Sequence, residues 1–223
     1  MKHGLMITGG PLDLSFAKEF LKDRQYDLVI AVDAGFSACM ELGIRPDLLV
    51  GDFDTFGRDR IQKYLNDPEL QIDIHQPEKD ETDTELAFRD VRKAECTSVD
   101  VIGALGGRID HEISNIHLLI HEKKQGLHVT YFDAKNKLYV LDAEIDREYF
   151  FQKNDLYGTY VSFLPITERV KGITLTGFKY PLDKKNISIL ENPSLCVSNE
   201  VVETQARIHF EEGILLCVES RDK

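Results

Sequence analysis

Short apolar runs alternate with segments of helical spacing along the first 134 residues of the chain. The apolar runs predict strands, and apolar residues that recur every three or four positions predict helices. Because the two patterns alternate, we expect βαβ units with right-handed crossovers and a mainly parallel, doubly wound α/β sheet. The predicted strands are Leu5–Ile7, Leu28–Val32, Leu48–Val50, Gln71–His75, Val99–Ile102 and Leu127–Phe132, and the predicted helices are Phe16–Leu21, Phe36–Leu42, Arg58–Leu65, one beginning at Thr82, and Ile113–Lys123.

The pattern changes after about Asp133, where helical spacing gives way to β-rich runs separated by turn residues. Such spacing predicts an antiparallel sandwich or a small barrel. We therefore expect an α/β domain at 1–134 and an all-β domain at 135–223. The predicted strands are Lys137–Leu141, Tyr157–Leu164, Ile173–Phe178, Asn186–Leu190, Val201–Phe210 and Ile214–Val218.

Composition and charge limit the possible partners. The 223 residues suffice for one large domain or two small ones, and 42% of them are hydrophobic, which allows ordinary cores. The formal charge of −12 argues against a nucleic-acid partner, because no basic stripe is present to displace counterions. The same charge would repel a phosphate substrate unless a bound metal offset it.

The spacing of the cysteines and the length of the apolar runs indicate the cellular compartment. The four cysteines, Cys39, Cys96, Cys196 and Cys217, are scattered and form no Cys-x-x-Cys pair, so we expect reduced thiols in a cytoplasmic protein. The N-terminus predicts a first strand and loop, not a signal peptide. No apolar run approaches the ~20 residues of a membrane span, so no membrane partner is expected.

Acidic residues follow several of the predicted strands. Asp52 and Asp54 end the run that begins at Leu48, and Asp33 follows Leu28–Val32. Residues two apart in a strand face the same side, and ligands of open α/β sheets bind beyond the carboxyl ends of the strands. Oxygen-only ligands favour a hard cation such as Mg²⁺. The alternatives are a solvated turn for Asp52 and Asp54 and a helix N-cap for Asp33.

Two further motifs carry charge at predicted helix starts. Thr82 and Glu85 have capping-box spacing, so Asp83 lies either in a capped first turn or in a metal site. Lys79 beside Asp80 is either a phosphate ligand or an exposed lysine.

Gly103 to His111 combines glycines with Arg108 and Asp110, which predicts a phosphate cradle or, alternatively, a tight loop with an Arg–Asp ion pair. Gly9 and Gly10 offer a similar but weaker anion site.

Taken in order, Gly51–Asp54, Lys79–Asp83 and Gly103–His111, with Ser198–Glu200 downstream, resemble the motifs of bacterial thiamin pyrophosphokinases. The resemblance spans nearly the whole chain. Two departures are Ala34, where the family usually has glycine, and Thr55, where it favours serine.

The resemblance implies that thiamin's hydroxyl attacks the β-phosphorus of ATP, giving thiamin diphosphate and AMP. It also implies a homodimer with thiamin bound between one subunit's α/β domain and the other's β domain. Either Asp110 or Asp80 could orient the hydroxyl. The implied roles are Mg²⁺ binding by Asp52, Asp54 and Asp83, completion of the acid cluster by Asp33, Asp80 and Asp110, phosphate binding by Arg108 with Gly9, Gly10, Lys79, Gly106 and Gly107, and thiamin binding near Ser198 and Asn199.

Three alternative functions stay open at this point. A pyrophosphokinase for another primary alcohol, such as a hydroxymethylpterin, could use a similar acid set. A Mg²⁺-dependent nucleotide pyrophosphohydrolase would pass the diphosphate to water. A sensor would bind nucleotide or thiamin without turnover, although binding alone would not need so many carboxylates.

Overall fold

The structure is a computed structural model that describes residues 1–51, 71–74 and 81–222, with 71–74 described by backbone alone. The chain divides into two compact units, Met1–Ala134 and Lys135–Lys223. The helix predicted at Arg58–Leu65 lies outside the described residues. No helix within those ranges is long and apolar enough to cross a membrane.

Parallel strands form the sheet of the first unit, which confirms the predicted α/β class. The strands are β1 (Lys2–Ile7), β2 (Leu28–Val32), β3 (Leu48–Gly51), β4 (Gln71–Ile74), β5 (Cys96–Ile102) and β6 (His128–Phe132). They lie in the order β4-β3-β2-β1-β5-β6, and each neighbouring pair is parallel. The strand order therefore reverses between β1 and β5.

Helices connect and cover these strands. They are α1 (Leu14–Leu21), α2 (Gly35–Leu42), α3 (Asp83–Lys93) and α4 (Ile109–Lys124). Helix α2 packs against β1 and β2, α3 against β2, β3 and β5, and α4 against β6. Their apolar positions are buried, Phe36 in α2 and Phe88 in α3 being almost fully enclosed. Burial of these faces, more than helix propensity, stabilises such short helices.

Helix starts match the predicted capping chemistry in part. Thr82 caps α3, as predicted, because its Oγ1 accepts a hydrogen bond from Glu85 N at 3.2 Å. Helix α4 begins at Ile109, four residues before the predicted start at Ile113. Arg108 is extended, with φ −63° and ψ 129°, and so occupies the N-cap position. Asp110 therefore lies in the first turn of a helix, where its charge interacts favourably with the helix dipole.

Two antiparallel sheets form the second unit and share one core, which makes it a sandwich. The strands are β7 (Asn136–Asp142), β8 (Glu148–Gln152), β9 (Tyr160–Pro165), β10 (Arg169–Thr176), β11 (Leu182–Ser188), β12 (Gln205–His209) and β13 (Ile214–Ser220). Strand β13 pairs with β7 and β9, while β10 and β12 pair with each other and with β11 and β8 respectively. Phe151, Phe163 and Phe178 contact one another edge to face within the core.

Five strands of this unit differ from the predictions: β8 was missed, and β9, β10, β11 and β12 each begin three or four residues from the predicted start. Strand β8 was not predicted, because Tyr149, Phe150 and Phe151 form a continuous aromatic run without alternation. Strand β11 covers Leu182–Ser188, where Asn186–Leu190 was predicted. Its exposed residues include Lys184 and Lys185, a composition typical of a sheet edge that resists further pairing.

Candidate active site

The reversal of strand order places a candidate site at the carboxyl ends of β1 and β5. Ligands of open α/β sheets bind at such a switch point. The loops that follow these two strands touch there: a Cβ on Gly10 would lie only 2.2 Å from Gly103 O. Thr8 N donates to Ile102 O at 3.0 Å and ties the loop starts together. Only glycine at position 10 permits this close approach of two backbones.

Asp33 lies at the same edge, after β2, in a left-handed conformation with φ 50°. Its backbone N donates to Val50 O at 2.9 Å. Its carboxylate lies against Gly51, since a Cβ built there would be 2.0 Å from Asp33 Oδ1. The alternative that Asp33 is the N-cap of α2 is wrong, because Ala34 occupies the N-cap position. The carboxylate instead points to the end of β3, where Asp52 follows in sequence.

We expect Gly51→Ala to lower the free energy of unfolding by about 2–4 kcal/mol. The added Cβ would collide with Asp33, and Gly51 has φ 150°, which side chains rarely adopt. Gly43→Ala is the matched control, since Gly43 also has positive φ but its Cβ would meet nothing within 4 Å. That control should lose only about 1 kcal/mol. Equal losses in urea denaturation would contradict the Asp33 contact.

Arg108 and Asp110 form an ion pair at the start of α4. Arg108 Nη2 lies 2.6 Å from Asp110 Oδ2, and Nε donates to Oδ1 at 3.2 Å. The ion pair given as the alternative to a phosphate cradle is therefore present, and the phosphate role of Arg108 stays a prediction. Both side chains are largely exposed, at 74% and 61%. An exposed pair contributes little to stability, so either partner can exchange to a ligand at small cost.

Each partner of the ion pair shifts the pKa of the other in the direction that favours the charged form. The hydrogen bond with Asp110 raises the pKa of Arg108, and the hydrogen bond from Arg108 lowers the pKa of Asp110. Asp110 is therefore ionised at neutral pH. A carboxylate with a lowered pKa is a weak proton acceptor, which disfavours Asp110 as a general base while it is paired.

Asp83 lies in the first turn of α3, directly after the capping residue Thr82. Helix α3 packs against β2, which Asp33 follows, and against β3, which ends at Gly51. Across residues 1–51 and 81–222, no group of three or more His, Cys, Asp or Glu side chains is placed to hold a metal ion. Two of the three predicted metal ligands, Asp52 and Asp54, lie outside the described residues, as do Lys79 and Asp80.

In the second unit, Ser198 and Asn199 have different surroundings. Asn199 is buried, and its side chain accepts from Tyr180 N at 3.0 Å and donates to Tyr180 O at 2.9 Å. Ser198 is exposed, has φ 56°, and its N donates to Ser162 Oγ at 2.9 Å. The Asn199 side chain thus organises the protein interior, while Ser198 faces outward.

Comparison with known families matches both units. Residues 20–131 match the model for the thiamin pyrophosphokinase catalytic domain, and residues 148–215 match the model for the thiamin pyrophosphokinase vitamin B1 binding domain. A curated thiamine pyrophosphokinase from Bacillus subtilis is 33% identical over 225 residues and is covered in full, as is this chain. The chain belongs to the thiamin pyrophosphokinase family.

Solved thiamin pyrophosphokinases share the fold along the whole chain. The crystal structure of thiamine pyrophosphokinase from Bacillus subtilis has a TM-score of 0.85 at 31% identity and covers 100% of both chains. The thiamin pyrophosphokinase from Geobacillus thermodenitrificans has a TM-score of 0.82 at 31% identity, with 99% of this chain and 98% of that chain covered. The yeast enzyme, at 15% identity and a TM-score of 0.79, shares the fold.

Within the thiamin pyrophosphokinase framework, one departure from the family's usual sequence has a structural explanation. Ala34 stands where the family usually has glycine. It has φ −63°, a value that alanine adopts without strain.

Sequence reasoning did not single out two residues that support the loop after β5. Asn115 Nδ2 donates to Ala104 O at 2.9 Å, and Tyr131 OH donates to Asn115 O at 2.8 Å. Asn115 lies beyond the motif that ends at His111, and Tyr131 lies in β6; neither residue belongs to a recognisable motif. Only their tertiary placement reveals the contacts.

Proposed function

We propose that this chain transfers the diphosphate of ATP to the hydroxyl of thiamin, with Mg²⁺, and yields thiamin diphosphate and AMP. The chain is an ATP-dependent diphosphotransferase by family. The observation that carries the proposal is that both family models, catalytic and vitamin B1 binding, match one chain, each within one compact unit. Diphosphate transfer needs alignment and charge neutralisation more than covalent catalysis, and a carboxylate set beside a glycine-rich loop suits that need.

The proposed Mg²⁺ ligands are Asp52, Asp54 and Asp83, with Asp33 and Asp80 completing the acid cluster. Support comes from the Asp33 carboxylate, which lies against Gly51, one residue before Asp52. An all-oxygen donor set fits Mg²⁺ in the presence of phosphates. When bound, the ion would neutralise charge on the phosphates and on the leaving AMP. Full turnover in the presence of excess EDTA would contradict this assignment.

The proposed phosphate ligands are Arg108 and the backbone groups of Gly9, Gly10, Gly106 and Gly107, together with Lys79. Arg108 presents a planar fork of donors that suits phosphate oxygens. In the structure this fork is held by Asp110, an exposed partner that water can replace. We propose that ATP takes over part of this fork. Because Asp110 already holds Arg108 in place, ATP binding loses less side-chain entropy than it would with a mobile arginine.

Asp80 is the better candidate for orienting the thiamin hydroxyl. Asp110 has a lowered pKa and is engaged with Arg108, so we assign it the role of holding Arg108. An Asp80→Asn variant that keeps full turnover would contradict this division of roles.

Thiamin is proposed to bind near Ser198 and Asn199, between the β unit of one subunit and the α/β unit of a second copy. Exposed apolar side chains precede Ser198 and offer surface for such an assembly, namely Ile189, Leu190, Leu195 and Val197. A homodimer should sediment at about twice the chain mass of 25.5 kDa. A monomer that turns over thiamin at full rate would exclude a shared site.

A cytoplasmic location is proposed because all four cysteines are unpaired and buried. Cysteines of proteins in oxidising compartments usually form disulfides. Recovery of the activity outside the cytosolic fraction would contradict the location.

Acceptor exchange tests the proposed function against its alternatives. We expect AMP release from Mg-ATP to require thiamin and to stay at background with a hydroxymethylpterin. Release with the pterin alone would indicate a different pyrophosphokinase. Release without any acceptor would indicate a nucleotide pyrophosphohydrolase, and no release with thiamin would leave the chain a binding protein.

A further inference from the structure

The loop from Gly103 to Arg108 has a buried base and an exposed tip. Ala104 and Leu105 are buried, whereas Gly106, Gly107 and Arg108 are exposed. The tip carries groups proposed to hold the phosphates of ATP. The position of the tip therefore depends on how firmly the base is held.

Asn115 holds this base from the second turn of α4. Its Nδ2 donates to Ala104 O at 2.9 Å, and Asn115 itself is partly buried. Tyr131, which is fully buried in β6, donates to Asn115 O at 2.8 Å. Burial raises the pKa of Tyr131, so its hydroxyl keeps the proton that it donates. Two hydrogen bonds thus connect β6, α4 and the loop.

We propose that Asn115 is a positioning residue for the ATP phosphates, acting through its hydrogen bond to Ala104 O. The inference rests on the proposed function, since it requires that the Gly103–Arg108 loop binds ATP. In this role Asn115 acts through the backbone of Ala104 and not by its own contact with a substrate. It sets where Gly106, Gly107 and Arg108 present their donors, and a displacement of about 1 Å at such donors weakens binding markedly.

Asn115→Ala removes the donor without adding charge. We expect the KM for ATP to rise about tenfold, which corresponds to about 1.4 kcal/mol, while the KM for thiamin changes less than about twofold. A merely structural role would lower the melting temperature without separating the two KM values. That outcome would overturn the proposal.

Asn115→Asp adds a test through pH. An ionised carboxylate cannot donate to Ala104 O, but a protonated carboxyl can, and partial burial raises the pKa of such a group. The ratio of the ATP affinity of this variant to that of the parent protein should therefore rise as pH falls from 8 toward 5, because the new carboxylate takes up about one proton. The Asn115→Ala ratio should stay constant over the same range. If Asn115→Ala binds ATP normally and only Asn115→Asp is impaired, the effect is charge repulsion and the donor role is wrong.

Asn154→Asp is the matched control for the change of charge. Asn154 is exposed in the 3₁₀ turn Lys153–Asp155 of the second unit, so its variant should match the parent protein at every pH. ATP binding is measured by calorimetry as well as by turnover. A parent protein that binds ATP but does not use thiamin would contradict the proposed function, yet the nucleotide affinities of the variants would still test Asn115. Should Asn115→Asp fold poorly, the KM separation in Asn115→Ala decides alone.

Discussion

Asp83→Asn is expected to lower kcat by about a hundredfold or more while the protein stays folded. The substitution keeps the size of the side chain but removes the charge proposed to bind Mg²⁺. Asp83 begins α3 directly after its cap, so the backbone there is held by Thr82 and does not depend on the carboxylate. The measurement is steady-state turnover at saturating ATP, thiamin and Mg²⁺.

Glu85→Gln separates a metal ligand from a helix-dipole effect. Glu85 lies in the same first turn of α3 and carries the same charge. Loss of either acid should cost about 0.3–1 kcal/mol of stability through the helix dipole. Only Asp83→Asn should lose turnover. If both variants keep near-normal kcat at high Mg²⁺, the assignment of Asp83 to the metal is wrong.

Arg108→Ala is expected to reduce kcat/KM for ATP by about 10²–10³-fold. The guanidinium is proposed to hold phosphate oxygens, and alanine would leave the negative charge of these oxygens without a hydrogen-bond donor. Because the Arg108–Asp110 pair is largely exposed, the melting temperature should hardly change. Arg108→Lys keeps the charge without the planar fork, so its loss should be intermediate.

Arg207→Ala is the control for the loss of a paired, exposed arginine. Arg207 Nη1 lies 2.9 Å from Glu148 Oε1, and both side chains are exposed, at 42% and 43%. This pair belongs to the second unit and has no proposed part in phosphate binding. Activity and melting temperature should stay close to those of the parent protein. A loss equal to that of Arg108→Ala would point to a general effect of surface charge.

Local patterns predicted the first unit because its elements follow simple periodicities. Apolar runs marked β1 to β6, and the Thr82 cap was visible as a threonine three residues before a glutamate. The start of β11 was not predicted because charged residues fill its first half, and β8 was not predicted because its aromatic run does not alternate with polar residues. Those two strands are recognisable only from their partners in the sheet.

The site was predictable in its residue types but not in its contacts. The place of the Asp33 carboxylate depends on Gly51, which lies 18 positions later in the chain and has no Cβ to obstruct it. The link from Asn115 to Ala104 depends on how α4 packs beside the loop. The spacing of the motifs predicts neither contact, because both contacts arise from packing between elements.

Product identification tests the central claim most directly. The purified protein is incubated with Mg-ATP, with and without thiamin, and the products are separated by chromatography. The account predicts AMP and thiamin diphosphate in equal amounts, with neither formed when thiamin is omitted. ADP with thiamin monophosphate would contradict attack at the β-phosphorus, and AMP with pyrophosphate formed regardless of thiamin would contradict transfer to thiamin altogether.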